Sequence, residues 1–291
     1  MPVLICIVSA FFWAAFDLTR KLTLEKISSI NLLLIFTITQ LIIFLIWLFF
    51  EDFSINLIPY LLPGITLIII GLFSALLFLK AIKQSDLSLT IPLLSLSPMF
   101  SSLFSFFFLN EQLSNIQYLG IFLIILGTLI LYSKKLTIYE IIKSFKIILK
   151  NSSAKLMVLV SIIWSLTPVL DKICLKNSSV NIHGFIQSLG MITLLIFLFK
   201  KDKVQTENTK KNWRIILLTV FIGSTATILQ FYAILTNYVP IMESIKRSIG
   251  QLSSVFLGKI FFNEEVNKPK VVGVIVLSIG VYFILGNEVI I

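Results

Sequence analysis

Leu109-Asn110-Glu111-Gln112-Leu113 closes one long apolar run, and 153 positions later Phe262-Asn263-Glu264-Glu265-Val266 closes another. The echo extends in both directions. Gly120 and Gly127 return as Gly273 and Gly280, again 153 apart; Gly71 and Ala81 return as Gly223 and Ala233 at 152; Trp13 and Lys21 return as Trp164 and Lys172 at 151. Two single-residue insertions account for the drift. A unit of about 150 residues made of apolar runs and used twice is the sequence pattern of a membrane protein built from internal repeats.

Composition places the chain in lipid. It is 57% hydrophobic with 26 Phe and a mean hydropathy of +1.01, and its 13% charged residues fall well below the roughly 25% of soluble domains. Windows of about 20 residues, the length that crosses about 30 Å of hydrocarbon, predict ten spans: 2–22, 30–50, 60–81, 87–109, 114–133, 155–175, 182–199, 213–235, 239–262 and 269–287. The runs are continuous and lack the period-two alternation of barrel strands, so they read as helices, which pair their own backbone groups in lipid. The expected fold is an all-α integral membrane protein of ten transmembrane helices in two inverted five-helix repeats, 1–133 and 155–291, joined by a basic amphipathic linker at 134–154. The first span has no basic residue before its apolar stretch and runs on into Asp17, Arg20 and Lys21, unlike a signal peptide. Cys6 and Cys174 have no metal-site spacing and read as core packing.

Charge placement orients the chain. The segments after spans one, three, five, seven and nine hold 20 of the 24 Lys and Arg, the opposite set holds only Lys172 and Lys176, and Lys246 and Arg247 lie inside span nine. Basic residues favour the cytoplasmic side, which places both termini outside a plasma (inner) membrane. The basic loop at 200–214 against its counterpart around Glu51 and Asp52, which has no basic residue, fits a second copy upside down. The net charge of +10 is then a topology signal plus attraction to anionic headgroups, and nucleic acid is not needed to explain it. In the linker, Ile138, Ile141, Ile142, Phe145, Ile148 and Leu149 recur at helical spacing with Lys143, Lys146 and Lys150 on other faces. It reads either as a helix lying on the membrane surface or as a flexible tether.

Lys80-Ala81-Ile82, then Pro92-Leu93-Leu94-Ser95-Leu96-Ser97-Pro98, the Leu109–Leu113 stretch, Gln117-Tyr118-Leu119-Gly120 and Gly127, repeated more loosely in the second half, resemble the drug/metabolite transporter superfamily in its EamA-like branch. The likeness covers nearly the whole chain. It implies two inverted five-helix repeats, a central cavity from helices one, three and four with six, eight and nine, and movement of small metabolites, often outward and ion-coupled. It also implies cytoplasmic termini, against the charge count, and an interface on helices five and ten that allows a homodimer.

The side chains that are costly in lipid mark the candidate site. A charge at the centre of a span costs about 2.5–3.5 kcal/mol on insertion scales, so such residues face a cavity or pair. Span nine carries Glu243, Lys246 and Arg247. Glu243 and Arg247 are spaced to pair, which leaves Lys246 without a local partner. Span one carries Asp17 and Arg20, with Asp17 placed to face Lys246 or Arg247 across the cavity. These groups are either a structural ion-pair set or the binding site of a charged or zwitterionic solute, with Asp17 or Glu243 in proton coupling. Asp17 is equivalent to Pro168, and Arg20 to Asp171, so the halves diverge where a site needs asymmetry.

Trp13 and Trp164 either line that cavity or anchor the interface. Gln187, Gln230, Tyr232 and Gln251 either line the path or bond between helices. Pro92, Pro98, Pro168 and Pro240 begin or interrupt helices. Glu111 and Glu264 read as favouring the N-terminus of the next helix, and His183 stands alone.

No phosphate-binding GxxxxGK[ST] loop is present, and no cofactor or metal is expected. The resulting expectation is a secondary transporter of an amino acid or similar small polar metabolite. A membrane enzyme would need clustered acids, a His set or a nucleophile with its base. A non-transporting scaffold or lipid-handling protein predicts no solute-sized cavity and every charge paired.

Overall fold

The computed structural model describes residues 2–51, 53–84, 91–133, 135–140, 143, 152–199, 206–263 and 265–285. Its long helices are α1 (Pro2–Leu24), α2 (Ser29–Trp47), α3 (Leu57–Gln84), α4 (Ser97–Leu109), α5 (Asn115–Tyr132), α6 (Ser152–Lys176), α7 (Val180–Leu198), α8 (Trp213–Thr236), α9 (Val239–Phe262) and α10 (Lys268–Leu285). A single helical turn, Thr206–Lys211, precedes α8. No strand forms among the described residues beyond one isolated bridge, Ile55 to Ser178.

Seven helices are long and apolar enough to cross a membrane: α1, α2, α3, α6, α7, α8 and α10. The other three fall short for separate reasons. The predicted span 87–109 is broken: a 3-10 segment, Ile91–Leu96, precedes an α4 of only 13 residues. Pro98 sits in the first turn of α4, where its missing N–H does no harm, but it cannot extend an α-ladder back toward Ile91. α5 is apolar but short. α9 has the length but carries Glu243, Lys246, Arg247 and Lys259.

The echoed positions Asn110 and Asn263 are helix stops. Asn110 and Asn263 are the two non-glycine residues with positive φ among the described residues, at 56° and 52°. Each ends its helix in the left-handed conformation, its N–H returning to Ser105 O in α4 or Gly258 O in α9. Asparagine tolerates that conformation better than other non-glycine residues. Ser114 then starts α5 with a capping box completed by Gln117.

Helix pairing is unchanged by exchange of the halves. α1 packs on α8 as α6 packs on α3; α1 packs on α9 as α6 packs on α4; α2 meets α7 and α5 meets α10. At the α5–α10 crossing Gly120 lies against Gly280 and Gly127 against Gly273. The order of these contacts makes the two helices antiparallel. The glycine faces are therefore consumed inside one chain, so they are not the free surface that the expected homodimer would use.

The exterior is apolar and the interior is mixed. Ile58, Leu62, Phe107, Phe197, Phe221 and Tyr282 point outward, while Ser101, Ser165, Asn181, Thr219, Glu243 and Gln251 are buried. That distribution suits a lipid surround, where polar groups must find partners inside. Thr23 and Thr219 share a hydroxyl bond of 2.8 Å between α1 and α8. Cys6 and Cys174 are not bridged to one another and are buried in the packed interior. In the linker, Ile138 and Tyr139 are exposed, and most of the expected amphipathic stretch lies outside the described residues, as does Glu264.

Candidate solute site

A cavity of about 240 Å³ opens among α1, α2, α3, α6, α7, α8 and α9. α2 contributes Phe36 and Gln40, and α7 contributes Gln187 and Met191, whereas α4 reaches it only through Ile91 in the preceding 3-10 segment. The lining thus differs from the helix set that the resemblance implies.

One wall is cationic. On α9, Glu243 is fully buried behind two bases. Arg247 Nη2 lies 2.9 Å from Glu243 Oε2 and its Nε 3.0 Å from the same oxygen. Ser97 at the start of α4 completes the clamp, accepting from Arg247 Nε at 2.8 Å and donating to Glu243 Oε2 at 2.9 Å. Lys246 pairs with Glu243 as well, and donates to Gln230 Oε1 on α8 at 2.9 Å. One carboxylate therefore holds two cations, leaving a net positive face toward the cavity. The equivalent tryptophans flank it, Trp13 with its ring 5.4 Å from the Lys246 ammonium and Trp164 with its ring 5.5 Å from the Arg247 guanidinium.

Arg20 on α1 extends this wall. It pairs with Asp17 one turn earlier, and its guanidinium lies over Phe16 and Phe78 at 4.2 and 4.3 Å. Such stacking keeps a desolvated guanidinium in contact with aromatic faces. The Nε of Arg20 and the indole N–H of Trp13 are buried donors with no hydrogen-bond partner among the described residues. Both residues line the cavity.

Asp171 on α6 also lines the cavity. Its Oδ1 is 3.1 Å from His183 Nε2 on α7, and His183 Nδ1 is 2.9 Å from the Tyr60 hydroxyl on α3. Gln187 braces Tyr60, donating to its hydroxyl at 3.4 Å and to Gly64 O at 3.2 Å.

Seven of the residues expected at the site line this cavity: Trp13, Asp17, Arg20, Trp164, Gln230, Lys246 and Arg247. Glu243 does not reach it and acts from behind. Tyr232 does not line it and is partly exposed on the outer surface of the bundle. The reason is helical geometry: two residues apart is about 200° of rotation, so Gln230 facing in turns Tyr232 out. Asp17 pairs within its own helix rather than across the cavity, and Lys246 has two partners where none was expected locally. Gln251 donates to Thr128 on α5 at 3.2 Å, a bond between helices.

Glu111 also departs from expectation. Its carboxylate receives Lys172 Nζ at 2.6 Å and the backbone N–H of Val239 at 2.8 Å, so it serves the start of α9 instead of α5. Lys172 donates in addition to Asn237 O at 2.6 Å. This buried knot holds the end of α6 one residue from Asp171. Reading the sequence missed Asp171, His183 and Tyr60 as a group because they lie on three helices. The signal available was that the α6–α7 turn is only Asn177–Ser179, which brings positions 171 and 183 to the same level of a hairpin.

A bundle with an apolar outside and a cavity of both charge signs within has the organisation of a membrane transport protein. The chain belongs to the EamA-like transporter family, a branch of the drug/metabolite transporter superfamily: the family model matches residues 1–133 and 151–286. A solved structure titled "Crystal structure of protein" is similar over 100% of this chain and 99% of its own, with a TM-score of 0.66 and 15% identity, a likeness of fold. Among curated proteins none matches.

Proposed function

We propose that this multi-pass membrane transporter moves a small polar metabolite, an amino acid or similar zwitterion, across the plasma (inner) membrane by alternating access, without enzymatic activity of its own. One observation carries the reading: the roughly 240 Å³ cavity is lined both by the cations Arg20, Lys246 and Arg247 and by the carboxylate of Asp171. That space far exceeds the ~10–15 Å³ that one water needs. Arg20 and Trp13 hold spare N–H donors for a carboxylate, and Asp171 is an acceptor for an ammonium.

In the proposed architecture, residues 1–133 and 155–291 are two inverted five-helix copies joined by 134–154. The antiparallel α5–α10 crossing and the exchange of helix pairings support it. Under it, rocking of the copies about the cavity exposes the site to each side in turn. The scaffold or lipid-handling reading calls for a sealed interior, and the cavity weighs against it.

The test is uptake and efflux in proteoliposomes across a metabolite panel, with and without a pH gradient. A specific flux is expected, lost in Lys246→Ala and Asp17→Asn while both variants elute as folded protein. Native flux in both variants would remove those side chains from the site, and no flux for any solute would end the reading.

A further inference from the structure

We propose that Asp171, His183 and Tyr60 form a proton-binding site of this transporter, entered from the cavity at the Asp171 carboxylate. The inference rests on the transport reading above and adds to it the place where a coupling proton binds. His183 is the one histidine of the chain and is completely buried. Both its ring nitrogens are engaged, one by Tyr60 and one by Asp171, and its ring meets Phe231 edge-on at 4.9 Å.

Packing alone does not call for this arrangement. The position equivalent to His183, offset by the same 151 residues as Trp13 and Trp164, is Leu32, which is buried at 2% exposure. A leucine thus fills that place in the other copy, and the polar chain exists on one side only. Burying an imidazole and a carboxylate costs free energy that a leucine avoids.

The hydrogen bonds define what a proton does here. With a neutral imidazole carrying its hydrogen on Nε2, Asp171 Oδ1 accepts from His183 and Nδ1 accepts from the Tyr60 hydroxyl, so one imidazole proton satisfies the whole chain. Asp171 Oδ2 is not bonded to His183. A hydronium in the cavity gives its proton to Oδ2 and leaves as water, and the site changes from one negative charge to none while the Nε2–H···Oδ1 bond persists. The proton belongs to the Asp171–His183 couple as a unit. A solute ammonium needs the same carboxylate charged, so proton and solute exclude one another there, which is the requirement for exchange.

The groups facing the couple are Tyr60 from α3, the Cys174 thiol on α6 at 3.9 Å from Tyr60 O, Gln187 from α7, Phe231 from α8 and Phe44 from α2. Lys246 and Arg247 from α9 and the Asp17–Arg20 pair from α1 line the same cavity as Asp171. Because carboxylate and cations share that lining, the charge state of Asp171 sets whether both ends of a zwitterion are held.

The experiment uses the uniqueness of the histidine. The full chain, labelled with ¹⁵N-histidine and placed in lipid nanodiscs, gives one imidazole to follow from pH 5 to 9. The two ring-nitrogen signals are expected to shift together in a single transition, lost in Asp171→Asn, which removes the proton acceptor, and preserved in Asp171→Glu, the variant that keeps a carboxylate if the amide fails to fold. Ring signals that stay constant over that range, or that titrate identically in native protein and Asp171→Asn, overturn the proposal. In parallel, proteoliposomes given each of the twenty amino acids report flux with a trapped pH dye. Flux without an imidazole transition sinks the proton site and keeps the transporter; an imidazole transition without flux keeps the site and sinks the solute reading.

Discussion

At the scale of single residues the cationic wall is asymmetric in its dependence on Glu243. That carboxylate is wholly buried and is the counter-ion shared by Lys246 and Arg247, so removing its charge strands two cations, whereas removing Lys246 leaves a complete pair. Breaking a buried ion pair from one side costs about 3–5 kcal/mol. Glu243→Gln is therefore expected to lower the melting temperature in detergent sharply, and Lys246→Ala to melt near the native value. Equal melting of the two variants would mean that the bases find other partners. How much of this was legible follows from distance along the chain. Glu243 and Arg247 are one helical turn apart, a spacing that announces itself. The second partner of Lys246, Gln230, is on another helix, and Asp171 and His183 meet only because a short turn folds α7 back beside α6. Sequence periodicity reports contacts within a helix and is silent about contacts between helices.

At the scale of elements, the glycines of the repeat divide by what surrounds them. A Cβ at Gly127 would stand 2.8 Å from Gly273 O and 2.9 Å from Leu277 N, both backbone atoms that cannot swing aside. Even Gly127→Ala therefore pushes α5 off α10, at about 1–3 kcal/mol by the usual cost of overpacking, and a drop in melting temperature checks it. Gly71 repeats as faithfully in sequence, yet a Cβ there meets nothing within 4 Å, because the residue faces the cavity. Gly71→Ala is expected to leave stability unchanged or raise it by up to about 1 kcal/mol through helix propensity. Loss of stability there would show that the cavity wall is tighter than it stands here. The echo of glycines in the sequence was correct about close approach at α5 and α10 but could not say whether the partner was the same chain or another. The hydropathy windows found the long helices and missed the break before α4, since proline serves equally as a kink and as a first-turn residue.

At the scale of the whole molecule, one end of the bundle can be traced by its bonds. Asn237 donates to Pro2 O at 3.2 Å, Asn56 N to Asn177 O at 2.7 Å and Ser179 N to Ser54 O at 3.3 Å, while Glu111 holds Lys172 and the start of α9. The N-terminus, the α2–α3, α4–α5, α6–α7 and α8–α9 connections thus lie together. Lys172 and Lys176 are the basic residues at that end, and the former is neutralised by Glu111. Arg20, counted with the basic end in the sequence, sits in the cavity instead, which leaves 19 of the 24 basic residues in the sequence segments assigned to the opposite end. The bias survives the correction, and the preference of basic residues for the cytoplasmic side predicts the Pro2 end outside. Glu51 and Lys210 are both exposed, in connections that correspond between the copies, after α2 and after α7. Inverted copies put them on opposite faces of the membrane. Because Cys6 and Cys174 are buried, a cysteine introduced at either position gives a clean signal with a membrane-impermeant maleimide on spheroplasts of an expression host. Glu51→Cys is expected to label on intact spheroplasts and Lys210→Cys only after they are opened. Labelling of both from the same side would mean that the copies run in parallel, and the alternating-access scheme built on their inversion would fall with it; the reversed pattern would keep the inversion and place both termini in the cytoplasm.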